Sequence, residues 1–275
     1  MDCGDDLPLA LDPIEPAALG FILQVERQYA SLIAAGGTQS TANSEAGLGG
    51  KLLYAGELEA AGRALLVAGN IGGAASLAAT ADQAAQRQAI RDGVADFLVT
   101  SLSEALRILK NQIRKRETVA VCIASAPETV EQEMLERGVL PDLLRPANEF
   151  PAHSPFVSQG ARQLSPPAMG KDSILLTWRV ASAPALWLPK LDAIATDCLQ
   201  PAAWSARRWL RLSPRYLGRM AQGVRLICCD REFKAGFIGK ARTQVERGEI
   251  GVPVEIQVSG LGTSERYWLS GLGHS

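Results

Sequence analysis

KLLYAGELEAAGRALLVAGNIGGAASL, residues 51–77, predicts a strand, a turn, a helix and a second strand in direct succession. The apolar run 52–55 is the first strand, and the turn that follows it contains Gly56 and Gly62. In parallel α/β sheets the turn between the first strand and the first helix often binds the phosphates of a nucleotide. Here that turn also carries acidic side chains, so the stretch raises the question of whether a nucleotide still binds.

Short apolar runs alternate with helical patterns throughout residues 51–146. The runs are KLLYA, ASLAA, FLVT, VAVCIA and PDLLR, and between them lie amphipathic stretches long enough for helices. Strands that alternate with such helices pair in parallel through right-handed crossovers. The segment is therefore predicted to be an α/β fold with a doubly wound parallel sheet.

Composition shifts divide the chain into four predicted segments. Residues 1–50 give an N-terminal helix and a flexible Gly- and Ser-rich connector, and 51–146 give the α/β core. Residues 147–172 are broken by prolines and form a loop or junction, and 173–275 form a smaller α+β region. Within that last region the pattern predicts a strand at 173–181, helices at 184–199, 202–222 and 230–247, and strands at 252–259 and near Tyr267.

Charge and cysteine content exclude several classes of protein. The formal net charge of -1 argues against a chain-wide nucleic-acid footprint. The five cysteines lack Cys-x-x-Cys spacing and only two histidines accompany them, so no metal site is predicted and a reducing cytoplasm is expected. No stretch has the length and hydropathy of a membrane span or a secretory signal, so no membrane partner is expected.

Several short motifs of the core occur together and in one order. They are Gly50-Lys51 before the first strand, Gly73-Ala74 and Ser76-Leu77 around the start of the second, LSEALR at 102–107, and Arg137-Gly138-Val139 followed by Pro141-Asp142. With this order and nearly ungapped spacing, residues 50–145 resemble the NAD-binding core of urocanase (urocanate hydratase). The resemblance implies a Rossmann-like fold and, in the family, NAD as the cofactor.

The chain departs from the family's pattern where the cofactor binds. The family's Gly-Leu-Gly-Gly-Met-Gly-Gly turn falls on residues 57–63, where only Leu58 and Gly62 match and Glu57 and Glu59 introduce carboxylates. Glycines in such a turn let backbone amides approach the pyrophosphate. The family's catalytic cysteine segment is also not recognisable. No cofactor is therefore expected, with NAD as the alternative.

Five residues are candidates for binding a cofactor or ligand. Gly56 and Gly62 belong to the turn, and Asp142 and Arg145 are expected at the end of the PDLL strand, where a ligand would bind. His153 follows in a segment that resembles one of the family after a two-residue shift. His153 is an imidazole that titrates near neutral pH, but the simpler interpretation is a loop histidine bonded to backbone. No catalytic residue is identified from the sequence.

Three functions agree with these patterns. The first is a urocanase-like protein that has lost the NAD turn and catalytic segment and binds another small molecule or a partner. The second is a divergent NAD-linked lyase or hydratase of the urocanase lineage. The third is an anion- or nucleic-acid-binding accessory protein acting through residues 202–247, which hold eleven Lys or Arg and three acids. No nucleic-acid partner is expected, because the simpler interpretation of that region is a helix with solvated arginines. A homodimer is the one assembly considered.

Overall fold

A computed structural model describes most of the chain, namely residues 15–36, 47–146, 155–166, 173–260 and 263–271. The chain forms two compact units. Residues 21–168 and 201–218 make the first unit, and residues 1–20, 169–200 and 219–275 make the second.

Strands and helices alternate through the first unit as the sequence predicts. In chain order, starting from the N-terminal helix, they are α1 (Pro16–Gly36), β1 (Leu52–Glu57), α2 (Ala60–Gly72), β2 (Ala75–Ala79), α3 (Gln83–Arg91), β3 (Phe97–Val99), α4 (Leu102–Lys115), β4 (Val119–Ile123), α5 (Pro127–Glu136), β5 (Leu143–Leu144), α6 (Pro155–Ser158) and β6 (Arg162–Gln163). Local signals set the helix ends: the Ser101 side chain accepts a hydrogen bond from Glu104 N and begins α4.

The six strands of this unit form one parallel sheet in the order β3-β4-β2-β1-β5-β6. Right-handed crossovers place α2 and α3 on one face and α4 and α5 on the other. The doubly wound parallel sheet is therefore confirmed. β1 lies in the interior of the sheet, with Leu52 beside Ala75 of β2 and Leu53 beside Leu143 of β5.

The core of the first unit lies between the sheet and the two helices α4 and α5. Fully buried residues of four strands pack there against Leu109 and Met134 of these helices, with Phe156 of α6 closing the cluster. β2 and β4 are buried along their whole length because helices cover both faces. The sheet is thus a rigid base for the loops at its carboxyl ends.

The basic stretch also contributes a helix to the first unit, α8 (Trp204–Leu217), although the sequence places it in the C-terminal region. α8 packs against α2. Its buried face carries Trp209 and Leu210. The chain therefore returns to the first unit after leaving it.

The second unit is built on a four-stranded antiparallel sheet. Its elements are β7 (Ile174–Val180), α7 (Pro184–Cys198), β8 (Arg225–Cys229), α9 (Arg231–Glu246), β9 (Val254–Gly260) and β10 (Thr263–Leu269), in the sheet order β10-β9-β7-β8. Trp178 of β7 packs on Phe237 of α9, with ring centroids 4.8 Å apart. The α+β prediction for this region is confirmed, but β8 was missed.

The Gly- and Ser-rich connector lies largely outside the described residues. Its last four residues, 47–50, form a turn in which Leu48 is fully buried and donates its amide to Gly72 O at the end of α2. Among the described helices, none has the length and apolar character needed to cross a membrane.

Candidate functional site

The crevice between the carboxyl ends of β1 and β5 is a topological switch point of the parallel sheet. β1 continues through α2 to β2 on one side, whereas the chain reaches β5, on the other side, only after β4 and α5. Connections from these two adjacent strands run to opposite faces, and α/β sheets bind ligands where this happens. We call this place the switch-point crevice; Gly56 and Glu57 are the last residues of β1, Glu59 and Gly62 follow that strand, and Arg145 follows β5.

The two candidate glycines lie where other atoms of the protein come too close for a side chain. Gly56 has φ +70°, and a Cβ atom there would lie 2.9 Å from Arg145 Cδ. Gly62 lies in the first turn of α2, and a Cβ atom there would lie 1.9 Å from the carbonyl oxygen of Glu57. Gly62 therefore allows the helix to start tightly against β1, which is the packing role of a glycine in this turn.

An ion pair joins the two sides of the switch-point crevice. Arg145 Nη2 donates to Glu59 Oε1 at 2.5 Å. The Arg145 side chain is 6% exposed, whereas the Glu59 side chain is 54% exposed. Glu59 is the residue before α2, and its side chain makes no capping hydrogen bond to the helix. The carboxylate of Glu59 thus lies at the start of α2 and is held from the other side of the crevice.

A second polar pair lies close enough to Arg145 to be affected by its charge. The hydroxyl of Tyr54 on β1 donates to Glu131 Oε1 on α5 at 2.9 Å. Burial raises the pKa of Tyr54, and the neighbouring Glu131 raises it further while the charge of Arg145 opposes the shift. Burial also raises the pKa of the Glu131 carboxyl, against the opposing effect of the Tyr54 hydrogen bond. Sequence reasoning missed both pairs, because their members lie on different strands and helices.

The structure separates Asp142 from the other candidates. Asp142 precedes β5 and lies at the amino end of the strand, not at its carboxyl end with Arg145. It accepts hydrogen bonds from Lys51 Nζ at 3.0 Å and from Leu52 N at 2.8 Å. The expectation that Asp142 and Arg145 lie together at the carboxyl end of the strand is therefore wrong, because one residue precedes β5 and the other follows it. Asp142, Lys51 and Arg162 line a separate cavity of about 280 Å³ at that amino edge.

The remaining candidate, His153, lies outside the described residues. Within the described ranges, no group of three or more His, Cys, Asp or Glu side chains is placed to hold a metal ion.

Of the cysteines in the described ranges, Cys122 is buried, and Cys198, Cys228 and Cys229 are partly buried. Cys122 is fully buried on β4, and burial raises the pKa of its thiol to about 11. Burial raises the pKa of Cys229 on β8 to about 12. Both thiols are thus protonated at neutral pH, which makes them poor nucleophiles.

Two residues of the basic helix α8 have structural contacts. Arg208 is 8% exposed and donates its Nε to Ile71 O, at the end of α2, at 2.6 Å. Trp209 is 2% exposed and packs against Tyr29 of α1, with ring centroids 5.4 Å apart. A cation at the last turn of a helix stabilises its carbonyl end. Arg208 and Trp209 are therefore turned into the fold.

Comparison with known families identifies one match. Residues 26–160 match the family model described as the urocanase Rossmann-like domain. The match covers the parallel sheet from β1 to β5 and the switch-point crevice. The resemblance noted in the sequence is thereby confirmed for residues 26–160, which are similar to the Rossmann-like domain of the urocanase family.

Proposed function

We propose that this protein is a urocanase-like binding protein that neither binds NAD in the urocanase manner nor hydrates urocanate. It instead binds another small molecule or a partner. The observation that carries the proposal is the ion pair between Glu59 and Arg145 across the switch-point crevice.

This ion pair does not fit a dinucleotide bound at the start of α2. A pyrophosphate needs bare backbone amides and the positive end of the helix. At this position the chain has the Glu59 carboxylate, followed by the side chains of Ala60 and Ala61. Two like charges about 5 Å apart repel by roughly 1 kcal/mol even in a wet site. Arg145 offsets part of this repulsion, but the amide contacts that the glycines of the family's turn provide are lost as well. NAD affinity is therefore expected to fall well below useful levels.

The catalytic half of the proposal is supported by the cysteines. No segment of the chain is recognisable as the family's catalytic cysteine segment, and Cys122, beside β2 in the sheet, is buried with a raised pKa. Restoring glycines to the turn alone is therefore expected not to restore turnover.

A divergent NAD-linked lyase or hydratase is the second candidate. Arg145 favours it, because a guanidinium in the crevice suits a phosphate as well as a carboxylate. This candidate requires Glu59 to leave Arg145 when the cofactor binds.

Thermal melting with millimolar NAD tests the claim that NAD does not bind. Loss of urocanate absorbance tests the claim that urocanate is not hydrated. We expect no change in melting temperature beyond that caused by sodium chloride of equal ionic strength, and no loss of absorbance. An upward shift of several degrees with NAD would contradict the binding half. Measurable urocanate turnover would contradict the second half whatever the melting curve showed, and an active urocanase serves as the positive control.

A further inference from the structure

The edge of the parallel sheet at β3 carries an exposed apolar surface. β3 ends the strand order and, among the described residues, pairs with β4 alone. Phe97 and Leu98 of β3 are 46% and 41% exposed, and Ile90 of α3, a helix that contacts β3, is 42% exposed. Large apolar side chains grouped in this way on a protein surface mark a place that a partner covers.

We propose that β3 and the groove beside it bind an extended acidic segment of a partner protein, which pairs with β3 as an added strand. β4 and β2 lie between β3 and β1 in the sheet, so this surface is separate from the switch-point crevice. The inference therefore goes beyond the proposed function and does not depend on it.

The unpaired side of β3 supplies main-chain hydrogen bonds. An edge strand presents N–H and C=O groups without a strand partner, and an extended peptide beside it satisfies them. Native proteins often protect such an edge with a charged residue or a proline, and the strand Phe97–Val99 contains neither. Because β3 has only three residues, these main-chain bonds are few and side chains must add to the affinity.

Apolar side chains lie on both faces of β3. On the face of α4 there is a groove of about 500 Å³, and Phe97, Val99 and Ile108 are among its lining residues. Leu98 points to the opposite face, because successive side chains of a strand alternate. An added strand therefore meets apolar surface with every one of its side chains that passes β3. The matching segment has an apolar run about as long as β3 itself, roughly three residues.

The two helices that flank β3 are basic. α3 carries two arginines and α4 carries four Lys or Arg, against a single acid, Glu104. Arg107 of α4 lines the groove, and Arg107, Lys110 and Arg87 are exposed and form no salt bridge within the described chain. Acidic residues on either side of the apolar run would meet these cations, which gives the segment its stated charge.

The acids near this edge are bonded within the fold. Glu104 Oε2 accepts from Thr100 N at 3.1 Å, and Asp96 Oδ2 accepts from Ala120 N at 2.8 Å. The excess charge that faces a partner is therefore positive. A second copy of the chain would bring the same cations together across the contact, so like charges disfavour an edge-to-edge dimer.

The test is an NMR titration of the intact protein with two synthetic peptides. The acidic probe is Glu-Glu-Val-Ile-Val-Glu-Glu, and in the control peptide each Glu is replaced by Lys. We expect saturable shifts at the amides of Phe97, Leu98 and Val99 with the acidic probe, and a Kd about ten-fold or more below that of the control peptide. Added salt should weaken binding of the acidic probe, because the charges are exposed.

Four variants separate the apolar and the charged contributions. Phe97→Ser should weaken binding of the acidic probe by about ten-fold, because it removes the largest apolar contact of the edge. Arg107→Glu should weaken it by about five-fold. Leu186→Ser and Arg247→Glu are the matched controls, since both residues are exposed and belong to the second unit, and both should bind as wild type. Circular dichroism verifies that each variant is folded.

Three results would overturn the proposal. The first is the absence of saturable shifts with the acidic probe, or equal affinity for the two peptides. The second is a wild-type dimer in sedimentation that Phe97→Ser abolishes, since a second copy would then cover this surface. The third is tight retardation of DNA or RNA that Arg107→Glu abolishes, since the partner would then be a nucleic acid. None of these results changes the outcome of the melting test with NAD, so the two proposals fail separately.

Discussion

Gly62→Ala should destabilise the first unit, although alanine is the better helix former. The added Cβ atom would lie 1.9 Å from the carbonyl oxygen of Glu57. Ordinary carbon-to-oxygen contacts are about 3.3 Å or longer, so α2 or the end of β1 must move by more than 1 Å. Overpacking of this kind costs typically about 1–3 kcal/mol, and both atoms belong to stiff elements, so the upper value applies. The higher helix propensity of alanine offsets about 1 kcal/mol of this cost. The net loss in free energy of unfolding is therefore about 2 kcal/mol.

Urea unfolding followed by circular dichroism measures this loss as a lower midpoint at an unchanged slope. The matched control is Gly20→Ala in α1, where a Cβ atom meets nothing within 4 Å. That variant should be as stable as wild type or gain up to about 1 kcal/mol. A Gly62→Ala protein with the stability of wild type would refute the claim that this glycine is required by the approach of α2 to β1.

The other predictions concern charged groups. Asp192→Asn removes the partner that accepts from Arg225 Nε at 2.8 Å, with both side chains largely buried, and should cost about 3 kcal/mol of unfolding free energy in urea. Arg208→Met should lower stability by about 2 kcal/mol, because the Ile71 carbonyl loses a charged donor. Burial raises the pKa of Glu131 above its unfolded value, so its contribution to stability is fully present below the unfolded pKa and is lost as pH rises through the folded pKa. Glu131→Gln should therefore gain stability relative to wild type as pH rises through that window.

Each of these three predictions would be contradicted by a specific result. An Asp192→Asn protein within experimental error of wild type would mean that the ion pair contributes nothing. Tight, sequence-dependent retardation of DNA or RNA that Arg208→Met abolishes would mean that this arginine faces a nucleic acid. For the pH series, the exposed Glu136→Gln on the same helix is the control, and a stability difference between Glu131→Gln and wild type that stays flat with pH would contradict the burial argument.

The parallel sheet could be predicted because its signals are local. Each strand from β1 to β4 is a short apolar run, and each is followed by a helical pattern with a recognisable start or end, such as Ser101. β8 was missed because its sequence, RLICC, gives no alternation and its partner β7 lies far away in the chain. Long-range pairing of this kind leaves no short-range pattern.

The candidate site was only partly predictable, for a related reason. Glu59 and Arg145 are 86 positions apart, and they meet only because β5 pairs with β1. The strand order that brings them together is a property of the whole sheet. Asp142 was misplaced because it lies three residues before Arg145. Three residues of extended chain span about 10 Å, which is enough to run from one end of β5 to the other.

The most direct test of the account is an NMR titration of the wild-type protein with NAD, followed at the amides of Gly56 and Gly62. Both residues lie beside the Glu59–Arg145 ion pair or the start of α2. We expect no saturable shift of either amide at millimolar NAD, because the Glu59 carboxylate at the start of α2 disfavours a pyrophosphate there. Saturable shifts of both amides would show that the crevice accepts the dinucleotide and would contradict the central claim.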